Sequence, residues 1–159
     1  DLTYLAEAGL LDGLATPPTL FADMGGALLA AEAVLQATLH RLRTGQGCHQ
    51  EVALSTAAAW LALPRHWGLT APGAAVGGGH AGYRLYACRD GRVAVAALEP
   101  HFARALCEAV GLQDWSWPAM FQASTHAAIA AFCAGLTQRQ LQRLAVERDI
   151  PLHTLPGPA

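Results

Sequence analysis

The stretch Phe21–Leu54, FADMGGALLAAEAVLQATLHRLRTGQGCHQEVAL, limits what this chain can become more than any other part of it. Leu28, Leu29, Val34, Leu35 and Leu39 fill most of a helical circumference, while Glu32, Gln36 and His40 return every fourth residue. That spacing predicts one long helix, largely buried, with a narrow wet stripe. Pro17-Pro18 breaks the segment ahead of it, and Asp23 stands where the helix would take its N-cap before Met24-Gly25-Gly26. At the other end His40, Arg41 and Arg43 crowd the last turn, where positive charge meets the negative pole of the dipole, and Gly45 and Gly47 terminate it. The turn Arg43–Gly47 then hands over to a short strand expected at Glu51–Leu54.

Asp23 admits two readings. As a cap, it does no more than accept hydrogen bonds from the first turn. The second reading comes from Gly25 and Gly26, since each glycine in a first turn costs about 1 kcal/mol relative to alanine. Something that approaches the backbone closely would account for that cost. A carboxylate beside bare amides at a positive helix end can shuttle a proton, and the amides can hold an anion or a developing oxyanion.

Composition excludes several classes of function. With 159 residues, 53% of them apolar and 14% charged, the chain suits one ordinary domain or two small pieces with a substantial core. All ten basic residues are arginine, scattered without a basic face, at a net charge of −2, which argues against nucleic acid as a partner. No apolar run reaches the ~18 residues of a membrane span, because Glu32 and Gln36 interrupt the longest, so no membrane partner is expected. A chain that opens on Asp1 rather than Met is expected to have lost its true start. Cys48, Cys88, Cys107 and Cys133 lie far apart, as reduced thiols of a cytoplasmic protein would. The seven histidines form no i,i+4 pair, so no metal site is expected.

Along the chain, Asp1–Leu14 reads as a short irregular or helical segment. Ser55 would cap a helix Thr56–Leu63 that Pro64 ends, with Trp60 and Trp67 as core or interface aromatics. Residues 68–82, rich in Gly, Ala and Pro and containing Gly77-Gly78-Gly79, mark a linker between a first domain, residues 1–67, and a second, residues 83–159. A mobile lid is the other reading of the triple glycine. Tyr83–Cys88 and Arg92–Ala96 flank Arg89-Asp90-Gly91, a hairpin signal. Pro100 opens a helix to Val110 that Gly111 stops, and Trp115, Trp117 and Pro118 form an aromatic loop. Two further helices are expected at Thr125–Leu136 and Gln138–Arg148, the second capped by Thr137, and Ile150-Pro151-Leu152 suits an edge strand. The second domain is thus an α+β unit of a hairpin plus helices. Glu99, just before Pro100, serves either the helix dipole or a cleft at the strand end.

Taken in order, Asp1–Ala6 with Gly9-Leu10-Leu11, Ala22–Gly26, Arg43–Gly47, Tyr83–Tyr86 and Asp90–Pro100 resemble the family III CoA-transferases, and among them the α-methylacyl-CoA racemase branch. The likeness implies an internal fragment: the C-terminal part of a CoA-binding α/β domain followed by a small α+β domain, from a fold in which two chains form an interlocked dimer. It implies an acyl-CoA thioester as substrate, with coenzyme A entering as part of it and no other cofactor. In the racemase branch, the Asp matching Asp23 and a His just before the Asp matching Asp1 are acid and base at the α-carbon. Glu99 matches the Glu that orients that His. The resemblance also places Asp1, Tyr4, Gly25, Gly26 and Tyr83 at the substrate, the amide of Asp1 on the thioester oxygen and Tyr83 along the acyl chain. In the transferase branch the same Asp is a nucleophile that forms mixed anhydrides under a glycine-rich loop, and Gly77–His80 is similar to that loop. A third, non-catalytic reading is a small binding or assembly module.

Overall fold

The computed structural model describes residues 1–11 and 13–157. Asp12, inside the expected opening segment, and residues 158 and 159, at the end of the expected second domain, lie outside the described residues. The chain divides into two compact units, Asp1–Trp67 and Gly68–Ala159.

The first unit is helical: α1 (Leu2–Glu7), α2 (Phe21–Thr44) and α3 (Leu54–His66). Its small core joins Leu5 of α1, Ala22 of α2 and Ala58 of α3, with Tyr4, Ala8, Leu10 and Leu11 against them. The long helix forms, and Gly45 ends it in the left-handed region at φ 75°, its N–H on the Arg41 carbonyl. Its start and its burial both differ from expectation. Leu20 is the N-cap residue, so Asp23 occupies the third helical position rather than the cap. Only Ala22 and Gly26 of α2 are buried, whereas Leu28, Val34, Leu35, Leu39 and Leu42 are 59% to 78% exposed. Three helices of this size cover the first two turns of α2 and half-bury Leu29, Ala33 and Ala37, but leave those five residues in solvent.

The strand expected at Glu51–Leu54 is absent, and Leu54 instead opens α3 with Ala53 as N-cap. A strand needs a neighbour to take its N–H and C=O groups. Among its described residues this unit holds no strand at all, so the α/β character expected for residues 1–67 is not carried within them. Nor does Ser55 cap α3 or Pro64 end it: the helix runs on to His66, and the Trp67 N–H reaches the Leu63 carbonyl at 2.9 Å. Trp60 and Trp67 are 63% and 66% exposed, so neither is a core residue of this unit.

The second unit is built on an antiparallel sheet in the order β1 (Tyr83–Cys88), β2 (Gly91–Ala96), β3 (Leu152–Leu155), with α4 (Pro100–Val110), α5 (Ala123–Ala134) and α6 (Gln138–Arg148). The hairpin closes through Arg89-Asp90, with Cys88 opposite Gly91. Asp90 also ties the hairpin to α6, its Oδ1 accepting from the Gln138 N–H at 2.7 Å. Thr137 and Gln140 complete the cap of α6 reciprocally. Tyr86, Cys88, Val93 and Val95 point into a core with Leu106, Cys107, Met120, Ile129, Cys133, Leu141 and Ile150. Tyr83 and Leu85 stand on the other face of β1 and are exposed. The edge strand begins two residues later than expected, at Leu152, so Pro151 contributes only its carbonyl, to the Ala96 N–H.

Residues 68–82, expected as a linker, fall within this unit and end in it as buried structure. Ala75–Gly77 is a turn of 3-10 helix, His80 and Ala81 are 1% and 0% exposed, and the Ala81 N–H donates to the Met120 carbonyl at 2.8 Å.

Candidate functional site

Asp23 is held by a residue far from it in sequence. The Asp1 carboxylate, with its side chain only 7% exposed, reaches across from the start of α1. Its Oδ1 accepts from the backbone N–H of Ala22 at 2.6 Å and of Asp23 at 3.0 Å. These are second- and third-position amides of α2, which a side-chain cap satisfies in an ordinary helix. Leu20 has no side chain that can do so. Asp1 caps α2 in its place. A carboxylate thus already sits on the amides that an oxyanion would need.

The Asp23 carboxylate is 42% exposed, and no side-chain cation pairs with it among the described residues. The backbone nitrogen of Asp1 stands 3.8 Å from Asp23 Oδ1. At the third helical position the acid is well placed for the dipole and remains open to solvent.

Gly25 and Gly26 have a structural account. A Cβ on Gly25 would stand 3.2 Å from the Ala57 Cβ and 3.5 Å from Leu61 Cδ1, and one on Gly26 would run into Leu54 Cδ2. What comes close to the backbone here is α3. Tyr4 is half-buried in the three-helix core, beside a cavity of about 400 Å3 shared with Glu7, Ser55, Thr56 and His66. A second cavity of this unit, about 300 Å3, lies along Glu32, Gln36, Glu51 and Trp60 and is not lined by Asp23. The structure thus brings Asp1 and Asp23 together with Gly25 and Gly26 on one helix start.

The remaining two candidates lie in the second unit. Glu99 is exposed and is the N-cap residue of α4; its carbonyl accepts from the Ala103 N–H at 2.9 Å, and its side chain makes no cap hydrogen bond. Tyr83 pairs with Ala96 and is 38% exposed.

The triple glycine is tightly folded. Arg84 donates to the Gly78 carbonyl at 3.3 Å and His126 Nε2 lies 2.9 Å from the Gly79 carbonyl, beside a cleft of about 720 Å3. A Cβ on Gly77 or Gly79 would strike the carbonyls of Ala71 or Gly73, so close backbone packing accounts for both. His80 follows, buried between Trp117 and Phe121 with its Nδ1 accepting from the Gly82 N–H at 3.0 Å. Burial, and then the neighbouring His126, holds its imidazole below the ordinary value of 6.5. Nearby, Tyr86 donates to the Ala81 carbonyl at 2.6 Å, and burial pushes its phenol up to about 12.

Sequence reasoning gave Asp1 a role only through its amide and missed what its carboxylate does. A cap supplied from another helix leaves no local spacing; the one available signal was an apolar residue, Leu20, where a capping side chain belongs.

Comparison with known proteins agrees with this architecture. The structure of the hypothetical protein Rv3272 from Mycobacterium tuberculosis superposes with a TM-score of 0.74 at 23% identity, over 96% of this chain and 46% of that one. An orthorhombic form of Rv3272 gives 0.74 at 22% identity, over 96% and 45%. At this identity the likeness speaks to fold, and the chain spans about half the length of the solved structures it matches. None of the curated proteins matches it. The family model for CoA-transferase family III matches residues 1–158, and the chain belongs to that family.

Proposed function

We propose that this chain supplies Asp23 as one acid/base group of an acyl-CoA-handling enzyme, and that the reaction is 1,1-proton transfer at the α-carbon of a branched acyl-CoA thioester. The observation that carries the reading is the accessible Asp23 carboxylate, free of side-chain cations among the described residues and fixed at the start of a long helix. Asp23 takes the α-proton, and the C–H electron pair moves into an enolate whose oxygen needs hydrogen-bond donors. An acid on the opposite face returns a proton to the same carbon. With Asp1 Oδ1 occupying the amides of Ala22 and Asp23, the Asp1 nitrogen is the better donor to the thioester oxygen. The family resemblance gives that acid to a His preceding Asp1, and the Asp1 nitrogen stands 3.8 Å from Asp23 Oδ1. The resemblance gives Glu99 the orienting of that His and Tyr83 the acyl chain. Coenzyme A enters with the substrate, and the working form is a homodimer. No described helix is long and apolar enough to cross a membrane.

CoA transfer between carboxylic acids is favoured by the same accessible carboxylate. There Asp23 attacks the thioester carbonyl, the C–S bond breaks, and CoA thiolate leaves behind an aspartyl–acyl anhydride. The thiolate then attacks the Asp23 carbonyl, releasing the first acid and forming an aspartyl–CoA thioester for the acceptor acid to open. Incubating the full-length protein with 2-methyloctanoyl-CoA in D2O separates the two. Deuterium at the α-carbon without an acyl acceptor supports proton transfer, and an Asp23 adduct trapped by hydroxylamine supports CoA transfer. Asp23→Asn is expected to lower either activity by roughly 10²-fold to 10⁴-fold; full activity in that variant refutes both.

A further inference from the structure

We propose that Asp1 acts through its side chain as a positioning residue, a clamp that sets the Asp23 carboxylate against the backbone at the start of α1. The inference rests on the acid/base reading of Asp23 and adds the residue that holds it in place. One oxygen, Asp1 Oδ1, takes both the Ala22 N–H at 2.6 Å and the Asp23 N–H at 3.0 Å, and the side chain is almost fully removed from solvent. Hydrogen bonds to a charged acceptor are the stronger kind, and their short lengths leave little play. From Oδ1 to the Asp1 nitrogen the path runs through Cγ, Cβ and Cα alone, so pinning the carboxylate also pins the nitrogen. The clamp thus ties the Asp23 backbone to the start of α1, and Asp23 Oδ1 stands 3.8 Å from the Asp1 nitrogen. Without the clamp, α1 and α2 meet mainly through Leu5, Ala22 and their apolar neighbours, contacts that hold area rather than direction. Among the described residues no other side chain caps the N-terminus of α2, and Leu20 makes no side-chain bond there.

The test compares Asp1→Ala, Asp1→Asn and Asp23→Asn in the full-length protein, with α-proton exchange of 2-methyloctanoyl-CoA in D2O as the readout. A misplacement on the order of 1 Å costs about 10²-fold in rate, so Asp1→Ala is expected to lower kcat by that factor with KM held within about threefold. Asp1→Asn keeps an acceptor oxygen and is expected to recover most of the rate. Amide hydrogen exchange at Ala22 and Asp23 is expected to speed up at least about tenfold in Asp1→Ala, because the amides lose their acceptor. An Asp1→Ala protein with wild-type kcat beside an inactive Asp23→Asn overturns the clamp alone. Equal losses in Asp1→Ala and Asp1→Asn, with KM and melting temperature moving together, overturn it too, since that is what a purely structural acid would show. If Asp1→Ala does not fold, Asp1→Gly decides, since it removes the acceptor yet suits the N-cap position of α1: slowed kcat with faster exchange at the two amides supports the clamp, and wild-type values for both overturn it. An active Asp23→Asn protein overturns the acid/base reading and the clamp with it.

Discussion

Adding one methyl group to Gly25 tests whether α3, rather than a ligand, is what the glycine pair of α2 accommodates. Two effects oppose each other. Alanine gains about 1 kcal/mol over glycine in a helix. Against that, the new Cβ would lie 3.2 Å from the Ala57 Cβ, whereas carbon atoms rest at about 3.5–4.0 Å. Ala57 is 1% exposed and sits within α3, so the helices must part by a few tenths of an ångström or strain in place. Overpacking of this kind costs about 1–3 kcal/mol, which leaves Gly25→Ala destabilised by about 0–2 kcal/mol. Ala57→Gly removes the opposing methyl, so the double variant Gly25→Ala/Ala57→Gly exchanges the two partners and releases the clash. The expected coupling is about 1–3 kcal/mol in favour of the double variant, read from denaturant or thermal unfolding of all four members of the cycle. Gly26→Ala is the internal control. Its Cβ meets the flexible end of half-buried Leu54, which can rotate away, so the cost is small beside the helix-propensity gain. If Gly25→Ala raises stability by the full propensity gain and shows no coupling to Ala57, the packing argument fails. A glycine kept for ligand approach would predict that result together with lost activity.

Two further outcomes follow from burial. His80 is held neutral, so as pH falls below about 6.5 the unfolded chain binds its proton first, and the stability this provides is lost as pH drops toward the lowered folded value. Melting temperatures of wild type and His80→Gln, measured at about pH 7.5 and about pH 5, should show a smaller acid loss in the variant; equal acid losses refute the assignment. The exposed leucines of α2 form an apolar stripe that should make the 159-residue chain aggregate. Replacing Leu28, Leu35 and Leu42 by Glu together should lower light scattering and binding of an apolar dye without loss of helicity by circular dichroism, and a drop in helicity would show that the stripe is packed.

The second unit was largely legible because its signals are local. An Asp-Gly step between two apolar runs marked the hairpin, Pro100 and Gly111 bracketed α4, and Thr137 with Gln140 capped α6 where expected. Element boundaries there shift by about two residues, as at β3 and α5, and the larger difference is residues 68–82, expected as a linker but folded into the unit. The first unit was misread wherever an element needed a distant partner. Glu51–Leu54 has the composition of a strand, but among the described residues its unit holds no strand to pair with, and the helix propensity of the Leu-Ala run after it takes Leu54. The apolar circumference of α2 predicted burial, yet two neighbouring helices cover only its first turns.

Sequence by itself determined that an acid, two glycines and a long apolar helix stand together, and that a hairpin with three helices follows, since capping, turn chemistry and helical period all act within a few residues. The order of the motifs also sufficed to mark the family. Only tertiary structure decided what the acid and the glycines are for. The cap of α2 comes from Asp1, 21 and 22 residues from the amides it holds, and this leaves Asp23 uncommitted; the glycines face α3. A hydrogen bond or a van der Waals contact depends on distance in space, and that distance does not exist until the helices pack.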